Sequence, residues 1–300
     1  MKKVYIAGCG GMLGEAFYNV FRKNYTLKCS DIDLNEDWID YLDFRNYDDY
    51  RKDIIEFNPD YLFHLGAHTD LEYCELNSED AYDTNTRSVK YAVSIANELK
   101  IPILFISTAG IFNGEKDCYD ETEKPDPIGV YGRSKYLAEV YVKNNANNYL
   151  ICRAGWMMGG GTRKDKKFVQ KIISQITDRS KEIFIVNDKL GTPTYTYDFA
   201  KNLKLLIENN CNGLYNMVCR GLTSRLEIAN EIVKQLGLQN QVKVTEVSSD
   251  FFKKEYFAAR PKCERLVNKR LNSENLNIMR DWRSALTDYI NSRYYNQIKK

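Results

Sequence analysis

The sequence predicts an α/β protein: a doubly wound parallel sheet with helices on both faces, followed by a smaller C-terminal part assembled from several excursions of the chain. Two observations carry this. Through the first half, short apolar runs alternate with longer segments of helical period, the pattern of βαβ units. A glycine-rich turn, AGCGGMLG at 7–14, stands between the first run and the first helical segment. With 300 residues the chain is long enough for one large domain with a smaller partner, and for a substantial core.

Each element has its own local reason. KVYIAG (3–8) reads as a buried strand. Residues 12–23 place Leu13, Phe17, Val20 and Phe21 on one helical face. YTLKCSD (25–31) is the second strand, and FRNYDDYRKDIIEFN (44–58) is a helix that stops before Pro59. YLFHLGA (61–67) is the third strand. Residues 78–98 read as one helix through Ala81, Val89, Ala92, Val93 and Ala96. IPILFIST (101–108) is a strand, 130–145 a helix and YLICRAGW (149–156) a strand. The second half is less regular: a strand in KEIFIVND (181–188), helices at 196–209 and 224–236, and a strand in QVKVTEVSS (241–249). The last third is rich in Arg, Asn and Lys and shows no strong period.

Composition excludes several classes. Lys+Arg total 43 against 41 Asp+Glu, a balance that gives no reason to expect nucleic acid or a membrane surface as partner. The apolar stretch after the basic start is too short for a signal peptide, and no run approaches the ~18 apolar residues of a spanning helix. None of the eight cysteines forms a C-x-x-C pair; they read as reduced, buried thiols of a cytoplasmic protein. With only His64 and His68 available, no transition-metal site is expected, and a structural Mg²⁺ stays open.

The turn at 7–14 points to a dinucleotide. Gly8, Gly11 and Gly14 recur every third residue, with Gly10 as an extra, and Met12 and Leu13 lie on the same turn. Glycine permits the tight turn, the approach of backbone to a pyrophosphate, and the contact of helix with strand. The helix N-terminus then offers free N–H groups and a positive dipole to the phosphates. NADH or NADPH is the expected cofactor. Asp31 ends the second strand, where a carboxylate accepts both ribose hydroxyls of adenosine and repels a 2′-phosphate, which favours NAD; Asp33 is the nearby rival. Asp43 and Phe44 follow a later apolar segment and are placed to bracket the adenine.

A second group supplies chemistry. Thr108 falls at the C-terminal end of its strand, where ligands bind in open α/β sheets. VYGRSK at 130–135 sets Tyr131 and Lys135 one helical turn apart on one face. A lysine ammonium beside a tyrosine is expected to lower the phenol from ~10 toward working pH, so that it exchanges a proton with an oxygen that a Thr hydroxyl also binds.

These motifs together resemble an extended short-chain dehydrogenase/reductase. HLGAHTD (64–70) is similar to that family's strand-four cofactor stretch, which implies Gly66, Ala67 and Thr69 at the cofactor, and Asn85 matches its helix Asn. GWMMGG resembles its Trp segment. GTPTYTYDFA (191–200), ARPKCERLVNKRL (259–271) and RDWRSALTDYI (280–290) resemble the dTDP-4-dehydrorhamnose reductase subfamily. The resemblance implies a Rossmann-type dinucleotide-binding domain at 1–155, with returning segments at about 181–236, and a substrate-binding part at 156–180 and 237–300. It implies Tyr131 as general acid, Lys135 on the nicotinamide ribose, and Thr108 on the carbonyl of a nucleotide-sugar substrate. Ala109 and Trp156 would meet the sugar, and Arg260 and Arg265 the diphosphate. Family members are often homodimers.

The departures matter. The subfamily commonly has Asp-Tyr directly after the catalytic Thr; this chain has Ala109-Gly110. That removes a polar contact and a ring near the substrate, and speaks against a sugar-nucleotide dehydratase. A reductase or epimerase of another UDP-, GDP- or CDP-sugar, and a cofactor-binding regulatory subunit resembling that of methionine adenosyltransferase, are the alternatives. TRKDKKFVQK (162–171), after three glycines, reads either as a lid over the diphosphate or as a solvated amphipathic helix.

Overall fold

The computed structural model describes residues 1–294; residues 295–300 of the expected C-terminal part lie outside the described residues. β1 (Lys3–Ala7) is buried from Val4 onward, as a strand covered on both faces must be. Its alternation divides the core. Val4 and Ile6 join Phe17 and Phe63 on one face, while Tyr5 and Ala7 join Leu62 and Phe105 on the other.

After the glycine turn come α1 (Gly14–Phe21), β2 (Thr26–Asp31) and the two-residue β3 (Asp40–Tyr41). α2 (Tyr47–Phe57) begins where the Asn46 side chain accepts the N–H groups of Asp48 and Asp49, and ends at Asn58 in the left-handed region before Pro59. β4 (Tyr61–His64) is shorter than expected, because the chain leaves the sheet at Leu65 to form the cavity wall. α3 (Leu71–Leu76) was not anticipated. The helix expected at 78–98 is broken into α4 (Ser78–Tyr82), a π-helical turn at Asp83–Arg87, and α5 (Ser88–Leu99). The widened turn carries buried Thr84, Asn85 and Thr86, all polar, against α6 (Val130–Asn145), which follows β5 (Ile103–Thr108). β6 (Tyr149–Ala154) comes next.

The second half supplies β7 (Trp156–Met158), α7 (Gly161–Lys164), α8 (Phe168–Thr177), β8 (Glu182–Val186), β9 (Leu190–Gly191) and β10 (Pro193–Tyr195). Then follow α9 (Thr196–Glu208), β11 (Gly213–Asn216), β12 (Thr223–Ser224), α10 (Arg225–Gln235), β13 (Lys243–Val247), β14 (Cys263–Glu264), α11 (Lys269–Ser273) and α12 (Trp282–Arg293). The main sheet has seven parallel strands in the order β11-β6-β5-β4-β1-β2-β3.

The returning segments therefore divide. α9 packs on α1 and β11 closes the sheet edge, whereas the strand expected at 181–188 pairs with β13 in a two-stranded sheet of its own. β12, β9 and β14 form another small sheet, and β10 pairs with β7 in one more. Strand order reverses between β1 and β4, so their C-terminal ends open a crevice where ligands bind in such sheets. Among the described residues, no helix is long and apolar enough to cross a membrane, and no group of three or more His, Cys, Asp or Glu could hold a metal ion.

Candidate active site

One cavity of about 750 Å³ starts at this crevice and runs to the C-terminal part. Its floor is the glycine turn. Gly8 has φ +88°, and a side chain there would begin 2.2 Å from the Gly66 nitrogen. A side chain on Gly14 would begin 1.8 Å from the Cys9 carbonyl oxygen, so only glycine lets α1 start directly over the strand end. Gly11 differs: among the described residues the only heavy atom within 4 Å of its missing Cβ is the Gly8 carbonyl oxygen at 3.7 Å. Open space at the N-terminus of α1 is what a pyrophosphate needs. Met12 and Leu13 line the same wall.

Asp31 and Asp33 both face the cavity. Asp31 accepts the Gly10 N–H at 2.8 Å and the Asp33 N–H at 2.9 Å, and burial raises its carboxyl above the usual range. The Asp33 carboxylate takes Asn35 at 3.0 Å. Asp43 and Phe44 line the cavity too. Arg45 clamps Asp43 at 2.7 and 2.9 Å and holds its carboxyl below the usual range. Gly66, Ala67 and Thr69 follow along the wall.

Asn85 does not line the cavity. Fully buried, it accepts the His68 N–H at 2.8 Å and donates to the His68 carbonyl at 2.9 Å and to Ser134 Oγ at 3.0 Å. It stitches the loop after β4 to α6 without touching the space itself.

Thr108, Ala109, Tyr131 and Lys135 line the same cavity. Burial pushes the Tyr131 phenol up to about 12, with the Thr108 hydroxyl acting in the opposite direction. This corrects the expected lowering by Lys135: desolvation dominates, and the phenol is protonated at neutral pH. Lys135 is 3% exposed, with its Nζ 4.2 Å over the Phe105 ring centroid. Burial brings the ammonium down to about 7, opposed by Glu139 one turn on. Glu139 is itself bound by Arg153 at 2.6 Å, Lys143 at 2.8 Å and Ser107 at 2.7 Å. Among the described residues Lys135 is in no ion pair.

Trp156 begins β7 and lies flat on Gly191, where a Cβ would sit 2.3 Å from the indole. The Arg225 guanidinium stacks on the ring at 3.8 Å from its centroid, and also lies 4.5 Å from the Phe168 centroid. Arg225 was missed in the sequence. It takes no side-chain hydrogen bond or ion pair among the described residues, and burial brings it down to about 10. Arg260 reaches the cavity, but Glu72 grips it at 2.7 Å through both nitrogens. Arg265 is absent from the cavity lining; its Nε donates to the Thr223 carbonyl at 3.2 Å.

The 162–171 segment divides between the two readings. Phe168 onward is an amphipathic helix burying Val169, Ile172, Ile173 and Ile176. Ahead of it, Gly159, Gly160 and Gly161 all take positive φ, Arg163 reaches the Asn35 carbonyl, and Lys167 donates to Thr69 O at 2.8 Å and Oγ1 at 3.0 Å. Residues 159–167 thus strap the cavity from above.

A seven-stranded parallel sheet, a glycine turn at its switch point and a Thr/Tyr/Lys group on the same cavity define a Rossmann-type dehydrogenase/reductase of the extended short-chain kind. More narrowly, the chain belongs to the RmlD substrate binding domain family, whose model matches residues 1–295. The spore coat polysaccharide biosynthesis protein SpsK of Bacillus subtilis is 27% identical over 98% of both chains. The dTDP-4-dehydrorhamnose reductase of Yersinia enterocolitica superposes with a TM-score of 0.87 at 30% identity, covering 97% of this chain and 99% of that one. The Bacillus anthracis dTDP-4-dehydrorhamnose reductase, solved with NADP, gives 0.87 at 27% identity with the same coverage.

Proposed function

We propose that the protein is an NAD(P)H-dependent reductase of a nucleotide-activated 4-keto-6-deoxysugar, of the type dTDP-4-dehydrorhamnose reductase is named for. The observation that carries it is a single cavity lined both by the glycine turn, from Gly8 to Leu13, and by Thr108, Tyr131 and Lys135. The residues fit a nicotinamide dinucleotide: Gly11 leaves room at a helix N-terminus, and Lys135 is buried and outside any ion pair among the described residues. The α1 N-terminus would hold the pyrophosphate, Asp31 the adenosine ribose, and Lys135 the nicotinamide ribose. When bound, the reduced nicotinamide supplies a hydride to the carbonyl carbon. Tyr131, protonated at neutral pH, gives its proton to the carbonyl oxygen, and the Thr108 hydroxyl holds that oxygen. Arg225 receives the substrate diphosphate.

Asp31 favours NADH over NADPH, and a cytoplasmic homodimer belongs to the same proposal. The test is oxidation of NADH and NADPH by the purified protein with dTDP-4-keto-6-deoxysugar and its UDP-, GDP- and CDP-linked counterparts. Turnover is expected, fastest with the dTDP sugar. Folded, cofactor-binding protein that oxidises neither cofactor with any of them would overturn the reading.

A further inference from the structure

The reductase reading accounts for Thr108, Tyr131 and Lys135 but leaves a carboxylate beside them unexplained. Glu264 lies on β14, in register with Gly191 of β9, so it is carried by a sheet and not by a loop. Its Oε2 accepts the Trp156 indole N–H at 2.8 Å. With that oxygen committed, Oε1 points toward Gly110. A Cβ on Gly110 would lie 3.6 Å from Glu264 Oε1 and 3.5 Å from both Thr108 Oγ1 and Tyr131 Cε1. The three groups therefore border one small space, and Gly110 leaves it open. Gly110 has no positive φ, so its contribution here is room, not backbone freedom. Among the described residues no hydrogen bond ends on Oε1.

A carboxylate oxygen is an acceptor only, and it repels phosphate. This corner, at the Nε1 edge of Trp156, therefore suits the sugar, while Arg225, stacked on the Trp156 ring, suits the diphosphate. We propose that Glu264 selects the substrate: Oε1 accepts a hydrogen bond from the hydroxyl on the carbon next to the reacting carbonyl, while Oε2 holds Trp156 against the ring. The proposal rests on the reductase reading. Glu264 touches the sugar and not the transferred atoms, so it is a positioning and specificity residue. A sugar without that hydroxyl leaves the acceptor unpaired in a desolvated site, which costs about 10- to 100-fold in binding or kcat/KM.

The experiment compares dTDP-4-keto-6-deoxysugar with its 3-deoxy counterpart on cofactor-loaded protein, by calorimetric binding and by turnover. It uses the wild type, Glu264→Leu and Trp156→Phe. Leucine can neither accept from nor donate to the sugar hydroxyl, and Trp156→Phe removes the same indole bond while keeping the carboxylate. The wild type is expected to prefer the 3-hydroxy sugar about 10- to 100-fold. Glu264→Leu should lose that preference with cofactor affinity unchanged, while Trp156→Phe should weaken both sugars and keep it. A Leu variant that retains the preference, or a wild type that binds both sugars equally, overturns the role of Glu264 and leaves the reductase reading standing. A wild type that neither binds nor turns over either sugar overturns both.

Discussion

Gly132 packs directly beneath the carbonyl of Gly110: a Cβ on Gly132 would lie 2.3 Å from that oxygen. This contact brings α6 against the turn after β5, and so sets Tyr131 beside Thr108. The glycine in the Tyr-x-x-x-Lys motif is thus part of the geometry. Gly132→Ala should force the two elements apart, cost ~1–3 kcal/mol of stability and lower kcat more than it raises KM. Denaturant titration together with steady-state kinetics checks this; unchanged kcat would remove the packing argument.

Lys135 gives the apo-protein a pH signature. Its ammonium is brought from the usual 10.5 down to about 7 by burial. Between those values the unfolded chain binds a proton that the folded chain does not, so stability rises with pH across that window. Calorimetry of the cofactor-free protein from pH 7 to pH 9 should show this contribution as a rising Tm. Lys135→Met should abolish it and be more stable than wild type at pH 7. Parallel profiles for the two proteins would contradict the burial argument.

Arg225 should matter more than Arg260 for the sugar nucleotide. Arg225 is stacked between two rings with its fork free, whereas Arg260 is held by Glu72 at 2.7 Å. Arg225→Leu should raise KM for the substrate by ~10- to 100-fold and leave cofactor affinity alone. Arg260→Leu should act chiefly through stability, by leaving the Glu72 carboxylate unpaired. Substrate saturation curves of the two variants separate these outcomes.

The strap at 159–167 should gate the cofactor. Lys167→Ala removes both bonds to Thr69 and should weaken cofactor binding by ~3- to 30-fold. Bound cofactor should protect Arg163 and Lys164 from tryptic cleavage in the wild type and less so in the variant.

How much of this was legible depended on whether the signal was local. Gly8, Gly11 and Gly14, and Tyr131 with Lys135, sit at fixed short spacings that a single turn or helix enforces; Gly8, Gly11, Tyr131 and Lys135 line one cavity, and Gly14 packs behind it against Cys9. Arg225 and Glu264 meet Trp156 from elements far along the chain, and no spacing encodes that meeting. The Ser224–Glu227 capping pair marks a helix start, but nothing in it aims Arg225 at a cavity. Choosing among Arg225, Arg260 and Arg265 required knowing that Glu72 neutralises one and that Thr223 turns another aside. β11 escaped because GLYN is too short for an apolar run. The helix at 282–293 did carry a signal, in Trp282, Ala285, Leu286, Tyr289 and Ile290, that the surrounding polar residues diluted.

Proton delivery by Tyr131 is the proposed step that accompanies hydride transfer. Its most direct test is NADH and NADPH oxidation with dTDP-4-keto-6-deoxysugar by the wild type and by Tyr131→Phe, with cofactor and substrate affinities measured on both. Phenylalanine keeps the ring and removes only the hydroxyl. Loss of that hydroxyl should reduce kcat by ~10²- to 10⁴-fold with affinities preserved. Equal turnover by the two proteins would exclude Tyr131 as the proton donor.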